Sequence, residues 1–261
     1  MDRWLLNNLA TWELALLVVG GAAVIGLGGF LLMHRLVPSL ATHADSRVLS
    51  SAFSISSSLF SFVLAFTIGQ LYANFEHANA DAKQESTVLA QVLRTSAGLP
   101  RPLAGKVRLE SLAYAGEVRT HEWRLMQKGG SSVQAWHDVD HIYATLEAAR
   151  KTASSDPFYG QTLARLNDLV VARRVRLDDA NLSLPVVFQV LLLLGAVLAL
   201  STTFYFKPFG ERLQVAMIGA AAALIGTAML VALVLDYPYS GAIAVSNASF
   251  KASSLLLLAG G

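Results

Sequence analysis

The sequence predicts an all-α membrane protein, with four transmembrane helices and a helical soluble domain inserted between the second and third. Three observations carry this. Hydrophobic residues make up 54% of the 261 and charged residues only 15%, against about 25% charged in an ordinary soluble domain. Four uncharged stretches, 14–33, 48–75, 180–206 and 213–235, are each long enough to cross a bilayer, because ~30 Å of hydrocarbon takes roughly 20 helical residues. Between the second and third lies a polar segment, 76–181, holding 14 of the 20 Lys and Arg and 13 of the 18 Asp and Glu. A net charge of +2 lacks the basic surface of a nucleic-acid binder. The absence of cysteine excludes disulfides, thiolate metal sites and a cysteine nucleophile.

A short N-terminal segment, 1–11, leads into the first span, 12–34. Its apolar run exceeds the ~7–15 residues of a signal core and no small-residue cleavage pattern follows, so it reads as a retained helix. Ala22, Gly26 and Gly29 share one face there, as Gly219, Ala222, Ala223 and Gly226 do in the fourth span, 213–236. Small residues at helical spacing let two helices cross closely. The second span, 48–72, is followed by 72–95, which has no Pro or Gly and is rich in Ala, Gln, Glu and Lys. These strong helix formers continue the span into water as one rod of roughly 45–50 residues, stopped by Gly98 and Pro100.

The rest of the domain, 73–182, shows helical spacing. A helix over 103–128 places Val107, Ser111, Tyr114, Val118 and Leu125 on one face and ends at Gly129-Gly130. A second, over 132–153, buries Trp136, Val139, Ile142, Tyr143 and Leu146. Asp156-Pro157 caps a third, with Leu163, Leu166, Val170 and Leu177 inward, which breaks before Pro185 and the third span, 184–206. After the fourth span, 237–261 forms a turn and a short helix capped by Ser246, containing Phe250 and 255–258. That helix is apolar enough to lie on the membrane or against the bundle. With four spans the domain and both termini share one side. Arg3, Lys83, Arg165, Arg173, Arg174, Arg176 and Lys251 on that side, against Arg35, Arg47, Lys207 and Arg212 on the other, favour the cytoplasm.

Several residue groups point to function. In the second span Ser50, Ser51, Ser54, Ser57, Ser58 and Ser61 fall in one arc of about 120°, which Ala65, Ile68 and Tyr72 extend toward the domain. Such an arc either lines a hydrated path shared by several copies, with Ile68 and Tyr72 as an apolar constriction, or lets helices approach and hydrogen-bond. Asp236 closes the fourth span before Tyr237, Pro238 and Gly241. Its carboxylate can attract cations, pair with an arginine or respond to pH, or the turn simply ends the helix with interfacial aromatics. Arg173, Arg174 and Arg176 form a basic flank before the third span. It can meet lipid phosphates, pair with Asp236 or focus anions, or be a solvated surface. His137 and His141 lie one turn apart, but no third metal ligand is identifiable. No catalytic constellation, cofactor motif or metal set can be assembled, so the reading is not an enzyme.

The run Leu235-Asp236-Tyr237-Pro238-Tyr239-Ser240-Gly241 with Val245-Ser246 beyond, the Arg173-Arg174-Val175-Arg176-Leu177 stretch before Pro185, and the Ser/Phe-rich second span resemble a family of bacterial membrane proteins described as bestrophin-like. The resemblance covers nearly the whole chain. It implies the architecture of bestrophins, which are oligomeric anion channels, with the second span lining the pore. Asn247 departs from the family's usual proline. The resulting expectation is a homo-oligomer in a bacterial inner membrane, in contact with lipid and small ions. It conducts ions passively, anions slightly favoured, with the domain in the cytoplasm. The alternative is a non-conducting scaffold or sensor whose helical bundle binds a protein partner.

Overall fold

A computed structural model describes the backbone of residues 2–36, 46–204 and 210–260. Met1, Gly261, Lys207, the last two residues of the expected third span, and the side chains of Arg47 and Ser50 lie outside what it describes. The helices in chain order are α1 (Asp2–Asn8), α2 (Thr11–Leu36), α3 (Ser46–Ser96), α4 (Arg101–Glu117), a π-helical turn (Val118–Glu122) running into α5 (Trp123–Met126), α6 (Val133–Ala148), α7 (Arg150–Ala153), α8 (Pro157–Asp179), α9 (Val186–Thr203), α10 (Glu211–Leu235), a 3-10 turn (Ala248–Phe250) and α11 (Ala252–Gly260). Among the described residues, four helices are long and apolar enough to cross a membrane: α2, the first part of α3, α9 and α10. The chain divides into two compact units, Met1–Ala73 with Ser183–Asp236, and Asn74–Leu182 with Tyr237–Gly261.

In the membrane unit, α2 packs against α10 through small side chains. Ile218, Ala222 and Gly226 form the buried row on α10. A Cβ on Gly26 would stand 3.1 Å from Ala222 Cβ, and one on Gly226 would stand 2.9 Å from Val19 Cα and 3.0 Å from Ala22 Cβ. Gly219, expected on the same packing face, has nothing within 4 Å of the position its Cβ would take, because it sits beside the contact row rather than on it. A second core joins α3 to α9: Phe60 and Leu64 pack on Leu192, Ala196 and Ala199. Gly195 permits this, since a Cβ there would lie 2.5 Å from the Phe60 ring.

The soluble unit has its own core, with Leu89, Val107, Tyr114, Met126, Ile142, Leu146, Leu166 and Leu169 fully buried. The rod is realised as the 51-residue α3, and the stop follows as expected, with Leu99 N–H bonding Ser96 O and α4 starting after Pro100. Two expected helices are interrupted. The 103–128 helix starts at Arg101 and carries the π-helical turn, and the 132–153 helix breaks at Ala149 into α6 and α7. Their caps follow local chemistry: Ser132 Oγ accepts from Ala135 N–H, Asp156 accepts from Phe158 N–H, and Gly129 takes φ 80° where glycine alone is unstrained. The C-terminal residues belong to this unit: Tyr239, Val245, Phe250 and Leu255 are part of its core. Ser246 Oγ caps the 3-10 turn by accepting from Ala248 N–H, so Phe250 ends that turn instead of lying within the terminal helix.

Candidate functional site

Within the membrane unit, α3 buries one side only. Phe60, Leu64, Thr67 and Leu71 are buried, while Ser54, Ser58, Ser61, Ala65 and Tyr72 are exposed. Ser57 and Ile68 lie at the edge between the two, half-buried, and Ile68 rests on the Phe60 cluster. Of the two proposed constriction residues, Tyr72 therefore projects freely, 56% exposed, and Ile68 is shared with the core. Ile55, Leu59, Phe62 and Phe66 are also exposed, beside the serines. The uncovered half of the helix is thus split into a hydroxyl-bearing strip and a strip of large apolar side chains. In the soluble unit the same helix exposes Glu76, Lys83 and Arg94.

The basic flank is not a solvated surface at two of its three positions. Arg174 is exposed, but Arg173 and Arg176 are 0% exposed. Arg176 donates to Glu85 through Nε at 2.5 Å and Nη2 at 3.1 Å, and to Glu122 Oε2 at 2.7 Å. Arg173 donates to Glu122 and to Ser132 O at 3.0 Å, and its guanidinium lies 4.1 Å from the Trp136 ring centroid. Tyr114 O–H donates to Glu85 Oε1 at 2.6 Å. Two cations and two anions thus cancel inside the helical core, because a buried charge persists only when paired and hydrogen-bonded. Burial pushes the Glu122 carboxyl up, yet the hydrogen bonds and charges of Arg173 and Arg176 outweigh this and hold it below the ordinary range.

Glu85, Glu122 and Tyr114 carry this network, and the sequence reading did not single out the two glutamates. The signal was present: Glu85 falls in the stripe Ala78, Ala82, Glu85, Leu89, and Arg173 and Arg176 continue Tyr159, Leu166 and Leu169. Charges on a buried stripe must meet partners there. Glu122 is brought in by the π-helical turn, a local widening that is common at specialised positions and leaves no mark in residue spacing.

Asp236 holds a backbone group of its own unit. It is buried and accepts from Leu184 N–H at 2.5 Å, fixing the start of the third span, where Gln189 Nε2 also donates to Leu184 O at 2.9 Å. In the soluble unit the turn that follows is stitched down. Val245 N–H bonds Pro238 O at 2.8 Å, Tyr239 O–H bonds Ala78 O at 3.0 Å, and Ser240 Oγ bonds Gln127 O at 2.9 Å. Gly241 has φ 79°. Tyr237 is half-buried. Trp123 Nε1 donates to Val245 O at 3.1 Å, and its ring packs on Tyr239 and Phe250. His137 and His141 are exposed on α6, and no group of three or more metal-ligating side chains occurs among the described residues.

The whole chain is similar in fold to crystal structures of a bacterial bestrophin homologue from Klebsiella pneumoniae. One, phased on zinc, matches with TM-score 0.69 at 13% identity, covering 93% of this chain and 97% of that one. Two point variants of the homologue match with TM-scores 0.67 and 0.66 at 16% and 14% identity, over 96% and 95% of this chain and 97% and 98% of theirs. No curated protein matches. The Bestrophin-like domain model matches residues 20–250. With four membrane-length helices, an inserted helical bundle and a match over most of its length, this chain belongs to the Bestrophin-like family.

Proposed function

We propose that several copies of the chain assemble around an axis in a bacterial inner membrane and conduct ions passively, with the soluble unit in the cytoplasm. The observation that carries this reading is the hydroxyl strip of α3. Ser54, Ser58 and Ser61 are uncovered in the protomer, and a line of hydroxyls gains nothing by facing hydrocarbon. An assembly that turns the strip inward gives it water, and leaves Ile55, Leu59, Phe62 and Phe66 for neighbouring spans or lipid. Ser57 and Ala65 complete the lining, and Tyr72, with Ile68 behind it, narrows the path where dewetting can gate it. The exposed charges of α3 beyond the span, Glu76, Lys83 and Arg94, sum to one positive and favour anions slightly.

The test is flux into liposomes carrying purified protein. Tyr72→Ala is expected to raise flux severalfold by widening the constriction, and Ser58→Trp to reduce it to that of empty liposomes. Both substitutions are at exposed positions, so both variants should assemble like the parent. If the parent carries no flux, or neither variant changes it, the reading fails and the scaffold alternative, with the bundle docking a partner, takes its place.

A further inference from the structure

Asp179 is the last residue of α8, where the helix's own dipole is negative and a second negative charge is unfavourable. Its Oδ2 is buried and meets no hydrogen-bond donor. α8 runs antiparallel to α3, with Thr162 on Thr95 and Arg176 on Glu85, so the next turn of each helix brings the carboxyl of Asp81 beside Asp179, and a carboxyl donates only when it carries a proton. The other charged and titratable groups around the pair do not relieve it. Asp178 adds a further negative charge from α8, and Tyr239, from the turn after the last span, gives its O–H to Ala78 O on α3. Arg176, one turn back on α8, is already paired with Glu85 and Glu122.

We infer that Asp81 and Asp179 form a proton-operated clasp, in which one shared proton ties the C-terminal end of α8 to α3 and its loss frees that end. Burial and the neighbouring Asp81 raise Asp179 from the ordinary 3.8 to about 7, so the clasp opens across neutral pH. Below the ordinary aspartate range both folded and unfolded chains hold the proton. Between there and about 7 the folded chain keeps a proton that the unfolded chain has lost, so stability falls as pH rises through that window and levels off above it. The chain leaves α8 here for the third span, so the clasp sits at a point where loosening has somewhere to act. The inference does not depend on conduction.

Hydrogen exchange of the full-length protein in detergent tests it, read by mass spectrometry over residues 174–182 and corrected for the intrinsic pH dependence of exchange. Protection of the parent is expected to fall about tenfold between about pH 6 and about pH 8, in step with a titration near 7. Peptides from the centre of α6 should not change. Asp179→Asn, whose amide donates to Asp81 at every pH, is expected to remain protected throughout, and Asp81→Asn to flatten the profile in the same way if the first variant folds poorly. A parent profile without pH dependence overturns the clasp, as does a variant that keeps the parent's pH dependence. Neither outcome bears on flux, so the clasp and the pore fail separately.

Discussion

Gly226→Ile is expected to unfold the packing of the first span against the fourth, seen as a large drop in thermal midpoint and loss of the single-species elution peak in detergent. The added Cβ alone would stand 2.9 Å from Val19 Cα and 3.4 Å from Val18 O. Both are backbone atoms of α2, which cannot rotate aside as a side-chain tip does. Overpacking of this kind costs about 1–3 kcal/mol when side chains can adjust, and a backbone clash belongs at or above the upper end. Gly219→Ile on the same helix supplies the control. Nothing lies within 4 Å of its Cβ position, and both variants gain the same relief from replacing a helical glycine, about 0.5–1 kcal/mol. Matching midpoints for the two would show that α2 and α10 do not cross at Gly226.

Arg176→Met is expected to destabilise the soluble unit by about 3–5 kcal/mol, because removing one member of a buried pair strands its partner. The stranded group is Glu85, which is 0% exposed and keeps only Tyr114 O–H as a donor among the contacts above, whereas Glu122 still has Arg173. Replacing both partners, Glu85→Leu with Arg176→Met, should recover most of the loss, since an apolar pair of similar volume needs no desolvation to be offset. Denaturant unfolding of the purified full-length protein, read by tryptophan fluorescence from Trp123 beside Arg176, measures all three. A double variant as unstable as the single one would show that the cost lies in packing and not in stranded charge. The lowered Glu122 adds a pH signature. Its contribution is present above the ordinary glutamate value of 4.5 and is lost as pH falls below it, so the parent should lose stability on acidification while Glu122→Gln loses less.

The membrane architecture was legible because it rests on quantities that a single chain displays: uncharged length, the polar insert, and glycine and proline punctuation. The ends of α3 at Gly98, of α5 at Gly129 and the Asp156 cap came from local backbone chemistry and appear where that chemistry puts them. The buried arginines did not, since a cluster of Lys or Arg near a span is ordinarily solvated and the glutamates that neutralise it are 54 and 91 residues away in the chain. Only the stripe on which Arg173 and Arg176 fall carried the warning. The same holds for Asp236. A carboxylate at a span boundary suggests an ionic partner, and the sequence does not announce that it also accepts from a backbone N–H at the start of the third span, a group every residue but proline offers. The division of α3 into hydroxyl and apolar strips was half legible. The serine arc could be read from spacing, but which side of the helix the chain's own spans would cover depends on where Gly195 lets Phe60 lie.

The core of the inserted domain is completed by residues that come after the last span: Trp123 bonds to the carbonyl of Val245, and Phe250 is 1% exposed beside it. During synthesis, then, the bundle made between the second and third spans waits half-finished, with its indole and its apolar interior open, until two more helices have entered the bilayer and the tail has emerged. The water-facing core is thereby closed only by residues that follow the last lipid-facing helix. A chain whose tail does not reach the bundle would keep the indole of Trp123 and the apolar interior around it uncovered.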